Sequence, residues 1–147
     1  MMVRIWVRGN VRDSRMIGEI WASFIRLPMR VRLWMVLWLV PVNLVSLGFW
    51  GQVDPVSGIT VALLANLGMA FNLPIMMRDR GMGKAMALPH LVFWTPLVIL
   101  IGVGLASDGG TSGYRSYLAV LLATNLVSLA FDYKDAWAWW RGDRGIA

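Results

Sequence analysis

The sequence predicts an all-α membrane protein with four transmembrane helices and a preceding amphipathic helix at the cytoplasmic surface. Its composition gives the class: 58% of the 147 residues are hydrophobic and only 15% are charged, whereas charged residues make up about 25% of an ordinary soluble domain. The distribution of charges gives the number of helices, because charges fall between four long uncharged intervals. These intervals cover residues 33–53, 55–77, 85–107 and 116–131.

The lengths of the intervals match the thickness of a bilayer. A transmembrane helix needs about 20 predominantly apolar residues, and the first three intervals have that length. The fourth has it only if Tyr114 and Arg115 belong to the helix, with the Arg115 side chain snorkelling outward. We therefore expect a single membrane domain with transmembrane helices at four positions: 33–50, 56–77, 86–106 and 114–132.

The basic residues predict the orientation. Of the 14 Lys and Arg residues, 13 lie before the first predicted span, between the second and third, or after the fourth; only Arg115 lies on the other side. The positive-inside rule then predicts a plasma (bacterial inner) membrane protein with both termini in the cytoplasm. Anionic lipid headgroups explain the net charge of +6, so nucleic acid is not expected as a partner. The cations expected at the headgroups are Arg26, Arg30, Arg32, Arg78, Arg80 and Lys84.

The segments outside the spans carry weaker signals. The basic arm, residues 1–12, fits both helical and extended patterns and is left unassigned. In residues 13–28, apolar side chains such as Ile17 and Trp21 recur at helical spacing, which predicts an interfacial amphipathic helix. That helix either rests on the membrane or docks a partner protein. Residues 133–147 are expected to form a cytoplasmic tail.

Polar residues inside the predicted spans form a layer. One amide or hydroxyl residue in each span lies about 12 to 15 Å along its helix, near the bilayer midplane, and two serines lie on the same faces three residues later. The layer is either a set of interhelical hydrogen bonds or a binding site or permeation path, since transporters place their sites at this depth. Its members are Asn43, Ser46, Asn66, Thr95, Asn125 and Ser128.

The second span also carries a stripe of small residues. Gly58, Ala62 and Ala70 recur with Asn66 at intervals of four, so they share one helix face. Small side chains allow two membrane helices to approach closely. The stripe therefore predicts a close helix contact.

Several kinds of chemistry are not expected. The absence of cysteine excludes disulfides and Cys-liganded metals. His90 is the only histidine and has no carboxylate next to it in sequence, so it is a poor catalytic or metal-binding candidate and is expected to form an interfacial hydrogen bond. No charged residue lies in the central part of a span, which disfavours proton-coupled transport. We expect no enzyme activity, no metal site and no cofactor.

Two functional hypotheses remain. In the first, the protein is a non-enzymatic accessory, scaffold or interaction subunit, in a homo-oligomer or in a larger membrane complex. In the second, it is a small oligomeric channel or carrier that uses the polar midplane layer. Both hypotheses include the lipid bilayer, with its anionic headgroups, as a partner.

Overall fold

A computed structural model describes residues 2–147, with side chains from Asp13 onward. The described residues form helices and loops, with one isolated antiparallel bridge between Gly83 and Ile146. Helix α1 precedes four helices that are long and apolar enough to cross a membrane, so the prediction of four such helices is confirmed. The helices are α1 (Met2–Arg26), α2 (Met29–Phe49), α3 (Gly58–Asp79), α4 (Lys84–Ala106) and α5 (Ser112–Trp140).

Helices α1 and α5 exceed their predicted lengths by the most, nine and ten residues. Helix α1 runs through Gly9 and Asn10 without a break and ends at Arg26, two residues before Pro28. Helix α5 continues eight residues beyond the predicted end at residue 132, because the segment up to Trp140 contains no Gly or Pro to stop it. It ends immediately before Gly142, whose φ of 96° is the left-handed conformation that commonly follows a helix.

Prolines explain the irregularities of α2 and α3. In α2, the residues from Trp34 to Leu39 form π-helical turns immediately before Pro41, which has no N–H to donate to the carbonyl four residues earlier. The helix ends in a 3₁₀ turn over Ser46–Phe49. In α3, Pro74 likewise removes the partner of the Ala70 carbonyl, and the helix is interrupted at Phe71.

The core lies between α3, α4 and α5, with α2 against α3 and α5. Trp94 of α4 is fully buried at its centre, and its indole N–H donates to the Ala65 carbonyl of α3 over 3.0 Å. A Cβ at Gly68 would lie 2.5 Å from the Trp94 Nε1 atom. Glycine at position 68 therefore allows α3 to approach the Trp94 ring.

The loops 50–57 and 107–111 lie at one end of the four-helix bundle, and Arg115 binds one of them. Its guanidinium donates to the carbonyls of Leu105, Ser107 and Gly109 over 2.8 to 3.0 Å. Arg115 is thus part of α5, and its side chain extends to the loop at this end of the bundle. The N–H groups of the Arg115 guanidinium pair with carbonyls at the C-terminus of α4, and its positive charge is favourable there because the C-terminus of a helix carries a partial negative charge.

Candidate functional site

Asn43 and Asn125 form the centre of a polar cluster between α2, α3 and α5. Both side chains are completely buried. The Asn43 amide donates to Asn125 Oδ1 over 3.1 Å, and the Asn125 amide donates to Asn43 Oδ1 over 3.2 Å. Asn43 Nδ2 also donates to the Leu39 carbonyl over 2.9 Å. The two carboxamides therefore satisfy each other inside the bundle, where an unpaired amide would be costly.

Asn66 extends this cluster to α3. Its Nδ2 atom donates to Ser46 Oγ over 2.9 Å and to the Ala62 carbonyl over 2.8 Å. Ser46 Oγ in turn donates to the Asn43 carbonyl. Four members of the predicted layer, from three helices, are thus connected by hydrogen bonds.

Thr95 and Ser128 do not form hydrogen bonds with the other members of the layer. The Thr95 hydroxyl bonds to the Tyr133 hydroxyl over 2.9 Å on an exposed part of the bundle. Tyr133 lies eight residues beyond Asn125, about 12 Å along α5, and is not a member of the predicted layer. Ser128 is buried one turn from Asn125, but its Oγ atom has no hydrogen-bond partner among the described residues.

The small-residue stripe of α3 contributes to packing over only part of its length. Gly58 is buried where its Cα faces the carbonyl of Phe49, and an added Cβ would overlap that carbonyl. Ala62 is also buried, but Ala70 is exposed next to the interruption at Phe71. The stripe thus contacts the end of α2, whereas the closest approach to α4 uses Gly68 on a different face.

A second polar cluster surrounds His90 at the other end of the bundle. His90 Nδ1 lies 3.0 Å from Asp132 Oδ2 on α5, and His90 Nε2 lies 2.9 Å from Asn72 Nδ2 on α3. The imidazole stacks on the Trp94 indole with 3.8 Å between ring centroids and 4° between planes. Three helices therefore meet at one largely buried histidine.

The orientation of the Asn72 amide defines the tautomer of His90. With Asn72 Nδ2 as the donor, His90 Nε2 accepts, and the ring proton lies on Nδ1 and points at the Asp132 carboxylate. Asn72 Oδ1 is buried and has no hydrogen-bond partner among the described residues. The cluster thus joins an imidazole, a carboxylate and an amide from three helices.

Sequence reasoning missed this second cluster. His90 and Asp132 are 42 residues apart, and local spacing could not pair them. One signal was present: both residues lie at the basic ends of the third and fourth predicted spans. Two neighbouring antiparallel helices would bring those ends together, but the pattern did not identify α4 and α5 as neighbours.

The cations expected at headgroups have varied surroundings. Three form ion pairs: Arg78 with Asp79, Arg80 with Glu19 and Lys84 with Asp143. Arg26 Nη2 donates to the Ala147 carbonyl over 2.8 Å. Arg30 is exposed, whereas Arg32 is half-buried and its Nε atom has no partner among the described residues. Three of the six, Arg26, Arg80 and Lys84, therefore connect segments that are distant in the sequence.

The fold and its two polar clusters define an all-helical protein with four helices apolar enough for a membrane. Comparison of the chain with protein families, with curated proteins and with solved structures found no match.

Proposed function

We propose that this chain is an integral protein of a bacterial-type inner membrane, with both termini in the cytoplasm, and that it is a non-enzymatic accessory or interaction subunit. The observation that carries this proposal is the reciprocal hydrogen bonding of Asn43 and Asn125. These amides bond directly to each other at zero exposure, which favours a role in holding the helices together over a role in lining a path.

The surroundings of α1 support a role at the membrane surface. On one face, Ser23 Oγ accepts a hydrogen bond from the Met82 amide over 2.8 Å, and Glu19 pairs with Arg80. On the opposite face, Ile17, Trp21 and Ile25 are 63%, 61% and 46% exposed. An apolar face of this kind suits the headgroup boundary of a membrane, and together with the distribution of basic residues it favours a cytoplasmic position for α1.

An exposed face of α5 supports association with another membrane helix. Exposed small side chains follow one another at intervals of three, four and seven residues on this face and are not used inside the bundle. In a membrane, such faces allow helices from different chains to pack closely. The partner would be a second copy of this chain or a different subunit. The residues are Ser116, Ala119, Ala123 and Ala130.

Photocrosslinking in intact membranes tests this proposal. A photoreactive amino acid replaces Ala123 in one variant and the exposed Val103 of α4 in a control variant. We expect position 123 to form a discrete crosslink, to a second copy or to another membrane protein, and position 103 to crosslink mainly to lipid. If neither position gives a protein crosslink while the chain remains folded, the interaction hypothesis fails.

The alternative of a channel or carrier has one specific observation in its favour. Sequence reasoning disfavoured proton-coupled transport because no ionisable group lies centrally in a span, whereas His90 and Asp132 form a buried ionisable pair on two of the apolar helices. Ionisable groups inside membrane proteins often mark proton pathways. Proton flux into proteoliposomes that stops in an Asp132→Asn variant, but not in an Asp135→Asn control, would favour this alternative.

A further inference from the structure

A cleft of about 320 Å³ opens at the end of the bundle that carries the loop between α3 and α4. Its walls include the cations Arg78, Lys84 and Arg144, the indole of Trp139 and the carboxylate of Asp79. These residues come from the end of α3, the start of α4, the end of α5 and the segment that follows α5. The size lies within the range of small-molecule sites, which begins near 300 Å³.

The segment 141–147 completes this cleft by folding back against the α3–α4 loop. Gly83 and Ile146 form an antiparallel bridge, and the Ala147 amide donates to the Met82 carbonyl over 2.9 Å. Lys84 bonds to Asp143 in the same segment. These contacts place Arg144 opposite cations that are about 60 residues earlier in the chain.

The charges of the cleft are unequal. Arg78 pairs with Asp79, and Lys84 pairs with Asp143. Arg144 has no ion pair among the described residues; its guanidinium lies 4.9 Å from the centroid of the Trp139 ring. Two of the three cations are therefore paired with carboxylates, and the donors of the Arg144 guanidinium have no anionic partner among the described residues.

We propose that this cleft binds a phosphate-bearing anion through Arg144, with Arg78 and Lys84 supplying additional positive charge. Arginine presents a planar set of donors that matches phosphate oxygens. Trp139 belongs to a group of tryptophans typical of a membrane interface, so an anionic phospholipid headgroup can reach the cleft from the bilayer. A water-soluble phosphate compound has the same anionic group and can enter from the aqueous side. This inference does not depend on the proposed subunit function.

Native mass spectrometry of the full chain tests the site. Protein released from nanodiscs of phosphatidylcholine and phosphatidylglycerol is compared with an Arg144→Gln variant and with an Arg141→Gln control. Arg141 is exposed and does not line the cleft, yet its substitution removes the same charge from the same segment. We expect retained phosphatidylglycerol to fall about fivefold in Arg144→Gln and to stay unchanged in Arg141→Gln.

Two further arms complete the test. An Arg144→Lys variant, which keeps the positive charge but not the planar donor set, is expected to retain more phosphatidylglycerol than Arg144→Gln and less than the unsubstituted protein, and so separates lost binding from lost folding. Displacement of the lipid by millimolar glycerol 3-phosphate would identify a water-soluble phosphate compound as the ligand, and its failure would identify the lipid headgroup. Equal lipid retention by the Arg144→Gln and Arg141→Gln variants would overturn the proposal.

Discussion

Asn43 and Asn125 are 82 residues apart in the sequence, yet their carboxamides exchange two hydrogen bonds in the middle of the bundle. Each amide is the other's main partner, so removing one leaves the second buried and partly unsatisfied. Replacing both removes the need for a partner. This asymmetry makes the pair suitable for a double-mutant cycle.

We expect Asn125→Leu to lower the free energy of unfolding by about 1 to 3 kcal/mol, because Asn43 keeps only its bond to the Leu39 carbonyl. In a protein that already carries Asn125→Leu, the substitution Asn43→Leu should lower the free energy of unfolding by less than it does in the unsubstituted protein. The difference, which is the coupling energy of the pair, should be about 0.6 to 1.7 kcal/mol. Unfolding measured in bicelles by steric trapping checks both values, with the exposed Ser116→Ala as control. Additive effects of the two substitutions would contradict a direct pair.

Gly68 and Trp94 provide a second prediction. A methyl group at position 68 would lie 2.5 Å from Trp94 Nε1, and the indole would have to leave both the Ala65 carbonyl and the His90 ring. We expect Gly68→Ala to destabilise the protein by about 1 to 3 kcal/mol. The matched control is Gly102→Ala in α4, where nothing lies within 4 Å of an added Cβ.

The indole ¹⁵N–¹H signal of Trp94 reports on the same substitution. In Gly68→Ala this signal should shift as the bond to Ala65 breaks, whereas Gly102→Ala should leave it in place. An unchanged signal in Gly68→Ala, together with unchanged stability, would show that α3 and α4 do not approach as described.

The third prediction concerns the ring of His90. Because Asn72 donates to Nε2, the neutral ring should carry its proton on Nδ1. The ring ¹⁵N shifts identify the tautomer, and they are unambiguous because the chain contains one histidine. Asp132→Asn should weaken this preference, while Asp135→Asn, one turn along α5, should not. A proton found on Nε2 would contradict the arrangement.

Arg115 supports a fourth prediction. Its guanidinium binds three carbonyls at the end of α4 and in the following loop. Arg115→Gln should lower the free energy of unfolding by about 1 to 2 kcal/mol. It should also speed amide hydrogen exchange in residues 105–111. Lys134→Gln, an exposed position on the same helix, serves as the control. Unchanged exchange in the loop would mean that Arg115 does not hold it.

The fifth prediction is a pH dependence at the segment that follows α5. The hydrogen bond from Lys84, with a further one from the Gly145 amide, lowers the pKa of the Asp143 carboxyl. A lowered pKa in the folded state means that this contact contributes above the ordinary pKa of Asp, about 3.9, and is lost as pH falls through the lower folded-state value. Amide exchange at Ala147, measured relative to the intrinsic exchange rate at each pH, should therefore accelerate only at the acid end.

The Lys84→Gln variant tests the cause of that pH dependence. Without the ammonium, the Asp143 carboxyl should titrate closer to its ordinary pKa, and the acceleration at Ala147 should begin at higher pH. The ¹³C shift of the Asp143 carboxyl measures the first effect directly. An identical titration curve in both proteins would contradict the role of Lys84.

Composition and charge distribution determined the class of this protein from sequence alone. Four helices of spanning length follow from uncharged intervals, because a charged residue is expensive in hydrocarbon and an apolar residue is not. The similar height of Asn43, Asn66 and Asn125 along their helices also follows from sequence, since helical rise converts residue number into distance along a helix. These properties depend on residues near each other in the chain.

Only the tertiary structure decided which helices are neighbours and which faces they share. It paired Asn43 with Asn125 but placed Thr95 beside Tyr133, and it brought Asp132 and Asn72 to His90. The helical period and the height of a residue along its helix do not change when the helix rotates about its own axis. Nearly all faces of a membrane helix are apolar, so the hydrophobic pattern does not show which face points at a neighbouring helix. Close packing fixes it here, chiefly where Gly68 allows α3 to approach the ring of Trp94.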